Sequence, residues 1–406
     1  MDAASFYKYK EKRLKGEGKA RALAITEIPR RRKKQNPFIM GAEALPRNGD
    51  AAPVAASSHP LILGLQPAAL IDHVARVDWS LLHKSPVTGG SIPVAIQDLQ
   101  QILGEVKTHM LTSPGETSPM LTIAGGSVAN TIRGLSANFG VSCGIIGAYG
   151  DDEEGQLFAS NMGFSGVNIS KLRRKKGPTG QCVCLVDALG NRTMRPCLSS
   201  AVKVQADELT KEDFKGSKWL VIRYGKFNIE VIQEAIQIAK QEGLYVSLDL
   251  ASFEMVRDFR PPLLQLLESG DIDLCFANED EAMELLGGEQ NTDPEAPLQF
   301  LAEHCKWAVV TLGRNGCIAK HGKETVRVPA TGEAKAVDAT GAGDLFASGF
   351  LYGLVKELSL EECCKIGACS GGSVVRSLGG EVTPENRKWM YKQMQIKGLP
   401  VPDIRN

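Results

Sequence analysis

Beyond about residue 60 the chain alternates between two hydrophobic patterns. Short apolar runs read as buried strands: Leu61–Leu65, Leu121–Ile123, Val141–Ile146, Trp219–Ile222, Tyr245–Leu250, Asp273–Ala277 and Trp307–Leu312. Between them lie stretches whose apolar residues recur every three or four positions. Examples are Val128, Ile132, Leu135 and Phe139 on one side of a helix, then Ile229–Gln241 and Glu279–Leu286. Cys182–Asp187 reads as an alternating strand that turns at Gly190-Asn191. Strands alternating with helices predict an α/β fold of three layers, a mostly parallel central sheet with helices on both faces. Such sheets bind ligands beyond the carboxyl ends of their strands, so the strand-to-helix junctions are where chemistry is expected. No internal repeat is visible.

Residues 1–58 break the pattern. Arg30–Lys34 is a tight basic block, and Ala51–Ser58 is rich in Ala, Ser and Pro without periodicity. A disordered basic tail is predicted there, followed by one folded region over residues 59–406. The charge balance agrees: Lys+Arg 47 and Asp+Glu 47 cancel overall, yet the first forty residues alone hold twelve basic and four acidic side chains. Net neutrality gives no case for nucleic-acid binding. The longest uncharged stretch, Ala51–Ile71, contains three prolines and lacks the apolar length of a membrane span. With no apolar segment behind its charges the N-terminus is not a secretory signal, so a cytoplasmic location is expected. An organellar or nuclear address read from the tail is the alternative. The ten cysteines lie after residue 140 without a CxxC pair, and read as small buried hydrophobes in a reducing compartment rather than as a zinc site.

The most informative string is Asp338-Ala-Thr-Gly-Ala-Gly-Asp344, which opens an apolar helix containing Leu345, Phe346, Phe350 and Leu354. Gly341, Ala342 and Gly343 let the backbone turn sharply and leave N–H groups exposed at a helix N-terminus, an anion site. A carboxylate beside an anion site, Asp344, fits a base that accepts a proton from a hydroxyl attacking phosphorus. A plain Gly-rich turn is the competing reading. Elsewhere, Gly125-Gly126 follows a strand and opens a helix, so a ligand can approach the backbone. Asn278 closes an apolar strand and caps a helix, with Glu281 one turn in. Thr311–Gly316 turns between two strands. His73 and His83 flank the region around Asp72, where a surface role is expected.

The seven-residue string matches the signature of the ribokinase-like, or pfkB, carbohydrate kinases. Gly125-Gly126-Ser-Val-Ala-Asn130 resembles that family's N-terminal signature, Asn278-Glu-Asp-Glu281 its NxxE motif and Thr311-Leu-Gly313-Arg-Asn-Gly316 its nucleotide turn. The four occur in the family's order. The resemblance covers about residues 61–400 and implies a ribokinase-like fold with a small discontinuous β-lid, its elements within about 66–100 and 178–200. It implies ATP as donor, magnesium held through water near Asn278 and Glu281, and a nucleotide site at Thr311, Gly313 and Gly316. A potassium site framed by Asp338 and residues 376–380 is a further implication, and a monomer or homodimer is expected. The opening Leu63–Asp72 resembles the adenosine-kinase-type nucleoside kinases, which implies that Asp72, with Gly125, Gly126 and Asn130, grips a ribose. Gln66 stands where those enzymes more usually have Asn. Arg192 matches their lid arginine. The strings Asn161–Gly166 and Cys182–Val186 resemble the plant inosine–guanosine nucleoside kinases. The expected reaction is ATP-dependent phosphorylation of a purine nucleoside 5′-hydroxyl. A fructose- or ribose-type sugar kinase and a non-catalytic scaffold of the same fold are the rivals.

Overall fold

The computed structural model describes residues 59–78, 81, 90–109, 120–287, 293–332 and 336–403. The expected tail and His83 lie outside the described residues. Thirteen strands among the described residues form two sheets. The larger runs β5 (Leu172–Lys175), β4 (Cys143–Gly150), β1 (Ile62–Ala68), β8 (Trp219–Arg223), β9 (Tyr245–Asp249), β10 (Leu274–Asn278), β11 (Trp307–Thr311), β12 (Cys317–His321) and β13 (Glu324–Val328). It is parallel from β5 to β11 and ends in an antiparallel hairpin.

The strands are apolar on both faces because both faces are covered. Along β10, Leu274 and Phe276 join one buried cluster and Cys275 and Ala277 the other. The first cluster includes the helices Ser127–Phe139, Ala342–Val355, Leu360–Val374 and Pro384–Ile396; the second includes Ile229–Gln241, Arg260–Glu268, Glu279–Leu285 and Glu295–His304. This is the three-layer α/β fold the pattern predicts. Among the described residues no helix is long and apolar enough to cross a membrane.

The smaller sheet is ordered β3 (Met120–Gly125), β2 (Leu70–Arg76), β6 (Gly180–Val186) and β7 (Arg192–Cys197). It grows out of the large one. After β1 the chain passes Ala69, whose N–H still bonds to Ala148 O of β4 at 2.8 Å, and one residue later it is in β2. β6, read as an alternating strand, is buried on both sides. Val183 and Leu185 pack beneath the helix Ile96–His109, while Cys182, Cys184 and Val186 fill the opposite face. His73 is likewise not a surface residue. It is 8% exposed, and its ring bonds to Thr122 Oγ1 at 3.2 Å and Gln181 Oε1 at 2.9 Å, because β2 lies between β3 and β6.

Candidate active site

Four neighbouring parallel strands end in a row. Arg223, Asp249, Asn278 and Thr311 are the last residues of β8, β9, β10 and β11, with Arg223 in register with Asp249 and Asn278 with Thr311. All four line one cavity of about 150 Å³. Its roof comes from the small sheet, with Leu70, Asp72, Arg192 and Met194, and its far wall is Thr340 to Asp344.

Gly341 caps the helix Ala342–Val355 at φ 76°, which a side chain rarely adopts. A Cβ there would also come within 2.8 Å of Gly380 Cα, so this turn needs glycine twice over. Asp338 fixes the approach. It is fully buried, its Oδ1 accepts from Thr340 N at 2.8 Å and Thr340 Oγ1 at 2.7 Å, and its Oδ2 accepts from Gly379 N at 2.8 Å. Two distant segments are thereby tied beneath the glycine turn.

Asp344, half-buried in the first turn, is held by the Gly125–Asn130 motif. Ser127 Oγ donates to its Oδ1 and Asn130 Nδ2 to its Oδ2 at 2.9 Å. Asn130 is itself oriented by Arg133, whose Nη2 donates to Asn130 Oδ1 at 2.9 Å while Nη1 donates to Ala124 O at 2.9 Å. Arg133 is 3% exposed, and burial pulls its pKa down, opposed by the charges of Glu381, Asp72 and Asp344.

The paired glycines make room for Asp72. A Cβ on Gly125 would collide with the Asp72 carboxylate, and one on Gly126, at φ 94°, with the Gln66 amide. Gln66 pins the loop, donating to Gly125 O at 3.1 Å and accepting from Ala129 N at 3.0 Å. Asp72 is 2% exposed and its Oδ1 has no hydrogen-bond partner. Burial pushes its carboxyl up to about 7, against the pull of Arg133 and with a further push from Asp344.

Glu281 and Asn278 form a reciprocal cap. Asn278 Oδ1 accepts from Glu281 N at 2.9 Å, and Glu281 Oε2 and Oε1 accept from Asn278 N at 2.9 Å and Asn278 Nδ2 at 2.7 Å. Burial pushes Glu281 well above the usual carboxylate range, and the charge of Asp249 adds to it. Asp249 is pushed up as well, burial outweighing the Arg223 guanidinium 3.6 Å from its Oδ1. Arg223 Nη2 also donates to Ala251 O, and Asp249 Oδ1 accepts from Ala251 N at 3.0 Å. Together they hold Ala251 at φ 79°, strained for a residue with a Cβ. The Asp249 carboxyl raises Glu281 and the Asp344 carboxyl raises Asp249; a hard cation would relieve this crowding of buried negative charge, so this oxygen set fits magnesium.

A second hollow, about 260 Å³, adjoins the first and shares Thr311, Ala342 and Gly343 with it. Its walls are small or backbone-rich, with Gly313, Gly316, Ala339, Gly371 and Gly372 among them, and among the described residues its one charged lining residue is Arg314. Arg192, on β7 of the small sheet, faces the first cavity and donates through Nη1 to Ala339 O at 3.1 Å.

Every site residue expected from the sequence therefore lies in or beside one continuous cleft. Asp344, Gly341–Gly343, Asp72, Gly126, Asn130, Arg192, Asn278 and Glu281 line its inner half, Gly125 lies under Asp72, and Gly313 and Gly316 line its outer half with Thr311 between. Sequence reasoning missed Ser127, Arg133, Arg223 and Asp249. The carboxyl-end rule that selected Asn278 and Thr311, applied to β8 and β9, would have selected Arg223 and Asp249.

Fold and site define a ribokinase-like small-molecule kinase. Residues 104–386 match the family described as pfkB family carbohydrate kinase, and the chain belongs to that family. It is a phosphotransferase acting on an alcohol group. Adenosine kinase 2 of Arabidopsis thaliana is 27% identical over 290 residues, covering 65% of this chain and 81% of its own length. Among solved structures, adenosine kinase from Sinorhizobium meliloti is 29% identical with a TM-score of 0.72, covering 81% of this chain and 98% of its own. A probable sugar kinase from Rhizobium etli is 28% identical with a TM-score of 0.73, covering 84% and 99%.

Proposed function

We propose that the chain transfers the γ-phosphoryl group of ATP to the 5′-hydroxyl of a purine nucleoside of the inosine or guanosine kind. The observation that carries this reading is Asp72. A buried carboxylate with an unpartnered oxygen, lining the same small cavity as Asp344, suits a ligand that presents hydroxyls to the one and a reacting hydroxyl to the other. A ribose fits that description, and the similarity to adenosine kinases supports it.

In this reading Asp344 accepts the proton of the 5′-hydroxyl as that oxygen attacks phosphorus. Ser127 and Asn130 keep its carboxylate aimed, and Arg133 keeps Asn130 aimed. The N–H groups of Gly341 to Gly343 meet the charge that builds on the transferring phosphoryl. Arg192 from the small sheet and Arg223 from the end of β8 add positive charge to the cavity. Glu281 and Asp249, with Asn278 through water, would hold magnesium, which neutralises phosphate charge when bound. The outer hollow takes the adenine of ATP. The small sheet closes over the acceptor and excludes water, which suppresses hydrolysis of ATP.

A coupled ADP-release assay against inosine, guanosine, adenosine, fructose and ribose tests the reading. The expected result is the highest kcat/KM with a purine nucleoside. A preference for fructose or ribose makes the protein a sugar kinase, and no turnover of any acceptor by folded protein makes it a scaffold.

A further inference from the structure

In β6, Cys182 and Cys184 are two residues apart and so point to the same face of the small sheet. Parallel pairing with β2 puts Asp72 in register with Cys182. Sγ of Cys182 and Sγ of Cys184 lie 3.8 Å apart, and one carboxylate oxygen of Asp72 and both sulfurs lie within 4.8 Å of one another. Among the described residues this is the one group of three His, Cys, Asp or Glu side chains so gathered. Both cysteines are fully buried, and Asp72 Oδ1 lacks a partner.

The sulfur spacing is informative. Two sulfurs about 2.3 Å from a tetrahedral zinc ion stand about 3.8 Å apart, so the thiols already have the separation the ion requires. Of the group Asp72 reaches the cleft, and the two cysteines lie one layer behind it: Leu70 and Met194, which line the inner cavity, pack against them.

We propose that Asp72, Cys182 and Cys184 form an inhibitory site for a thiophilic divalent cation of the zinc class. The ion enters from the acceptor cavity, and the two thiols, and the Asp72 carboxyl where it is protonated, each release a proton to solvent as they bind; nothing is oxidised or reduced. Three protein ligands leave the fourth position to water. Because the ion takes the Asp72 carboxylate, ion and acceptor exclude one another. That exclusion rests on the acceptor role proposed for Asp72, whereas the binding of the ion does not.

The test uses the reduced full chain without ATP and Cd2+ alone as probe, read by the ultraviolet charge-transfer absorption of thiolate-bound cadmium. One Cd2+ per chain is expected to produce a band that the double variant Cys182→Val, Cys184→Val loses. Should that variant not fold, as judged by its melting curve, Cys184→Ser alone is expected to weaken the band. Inosine or guanosine at about 100 times its Kd should raise the apparent Kd for Cd2+ about 100-fold. No band in the wild type, or an equal band in the cysteine variants, overturns the site even if nucleosides are phosphorylated normally. A band that the variants lose but nucleoside leaves unmoved keeps the site and overturns the exclusion, together with the acceptor role of Asp72.

Discussion

The two halves of the cleft are built from different materials. The inner half, about 150 Å³, is crowded with ionisable side chains: Asp72, Arg192, Arg223, Asp249, Glu281 and Asp344 all line it. Arg133, behind the wall, and Asn130, in it, form a chain of bonds that ends on Asp344. The outer half, about 260 Å³, is mostly glycine, alanine and backbone, and among the described residues carries Arg314 as its one charge. A wall of backbone and small side chains can hold a flat ring and a phosphate chain with little demand on residue identity. A site that must hold a hydroxyl, take its proton and balance charge needs specific side chains in fixed orientations. Substitution in the inner half should therefore be costly and in the outer half mild.

The largest effect is expected at Asp344. Asp344→Asn keeps size and shape and removes the proton acceptor. General-base catalysis contributes about 10²–10⁴-fold, so kcat should fall by that order. The substitution weakens the charged bond from Asn130 Nδ2 as well as a helix-terminus contribution of about 0.3–1 kcal/mol, so the melting temperature should fall modestly with the fold retained. ATP should still bind, since the backbone N–H groups, Arg192 and Arg223 that the proposal sets against the phosphates are untouched by the substitution. Turnover near the wild-type value in steady-state assays would remove Asp344 from the mechanism.

Asp72→Asn comes next. A hydrogen bond to a charged group is worth about 1.5–3 kcal/mol, so the acceptor KM should rise about 10- to 100-fold with the ATP KM little changed. The pH dependence separates this from a packing effect. With the Asp72 carboxyl at about 7, kcat/KM for the acceptor should climb as pH rises through that value and the carboxylate forms, and the variant should lose this limb. Stability runs the other way. Between its ordinary value of 3.8 and about 7 the folded protein keeps a proton on Asp72 that the unfolded chain has released, so this group's contribution to stability falls as pH rises through that window. Melting temperatures from pH about 4 to 8 should show the variant gaining on the wild type toward the alkaline end. A variant that instead loses ground there would contradict the buried, raised carboxyl.

Arg314→Ala probes the outer half. A solvent-facing charge interaction is worth about 0–1 kcal/mol, so the ATP KM should rise no more than about fivefold. A change as large as that of Asp72→Asn would erase the distinction between the halves. Smallest of all should be the loss of the N-terminal tail. A chain beginning at His59 should keep its kcat, because the described residues lining the two hollows all lie between Leu70 and Val375. A soluble, folded, inactive truncation would bring the tail into the chemistry.

The glycine turns were readable because their requirement is local. Gly341 must reach φ 76°, and Gly126 φ 94°, whatever surrounds them, and those demands are written in consecutive letters. Asn278 and Glu281 were readable for the same reason, since each caps the other across three residues. Arg223 and Asp249 went unnoticed because neither sits in a glycine-rich or repeated string. Only the alignment of strand ends sets them side by side. The cysteines were read as small buried hydrophobes, and Cys182 and Cys184 are fully buried; what the letters did not show is that strand pairing brings Asp72 beside them. A spacing of two means nothing in a loop, but in a strand it puts both sulfurs on one face.

The sequence alone determined the alternation of strands and helices, the parallel sheet that follows from it, and the glycine-framed anion turn before Asp344, because hydrophobic period and backbone freedom act over a few neighbouring residues. Tertiary structure alone decided that Ser127 would hold Asp344 across 217 positions, that Arg133 would reach Ala124 and Asn130 while buried, and that Asp72 would lose its water and titrate near neutrality. Charge and desolvation depend on which atoms crowd a group, and those atoms come from segments that only folding brings together.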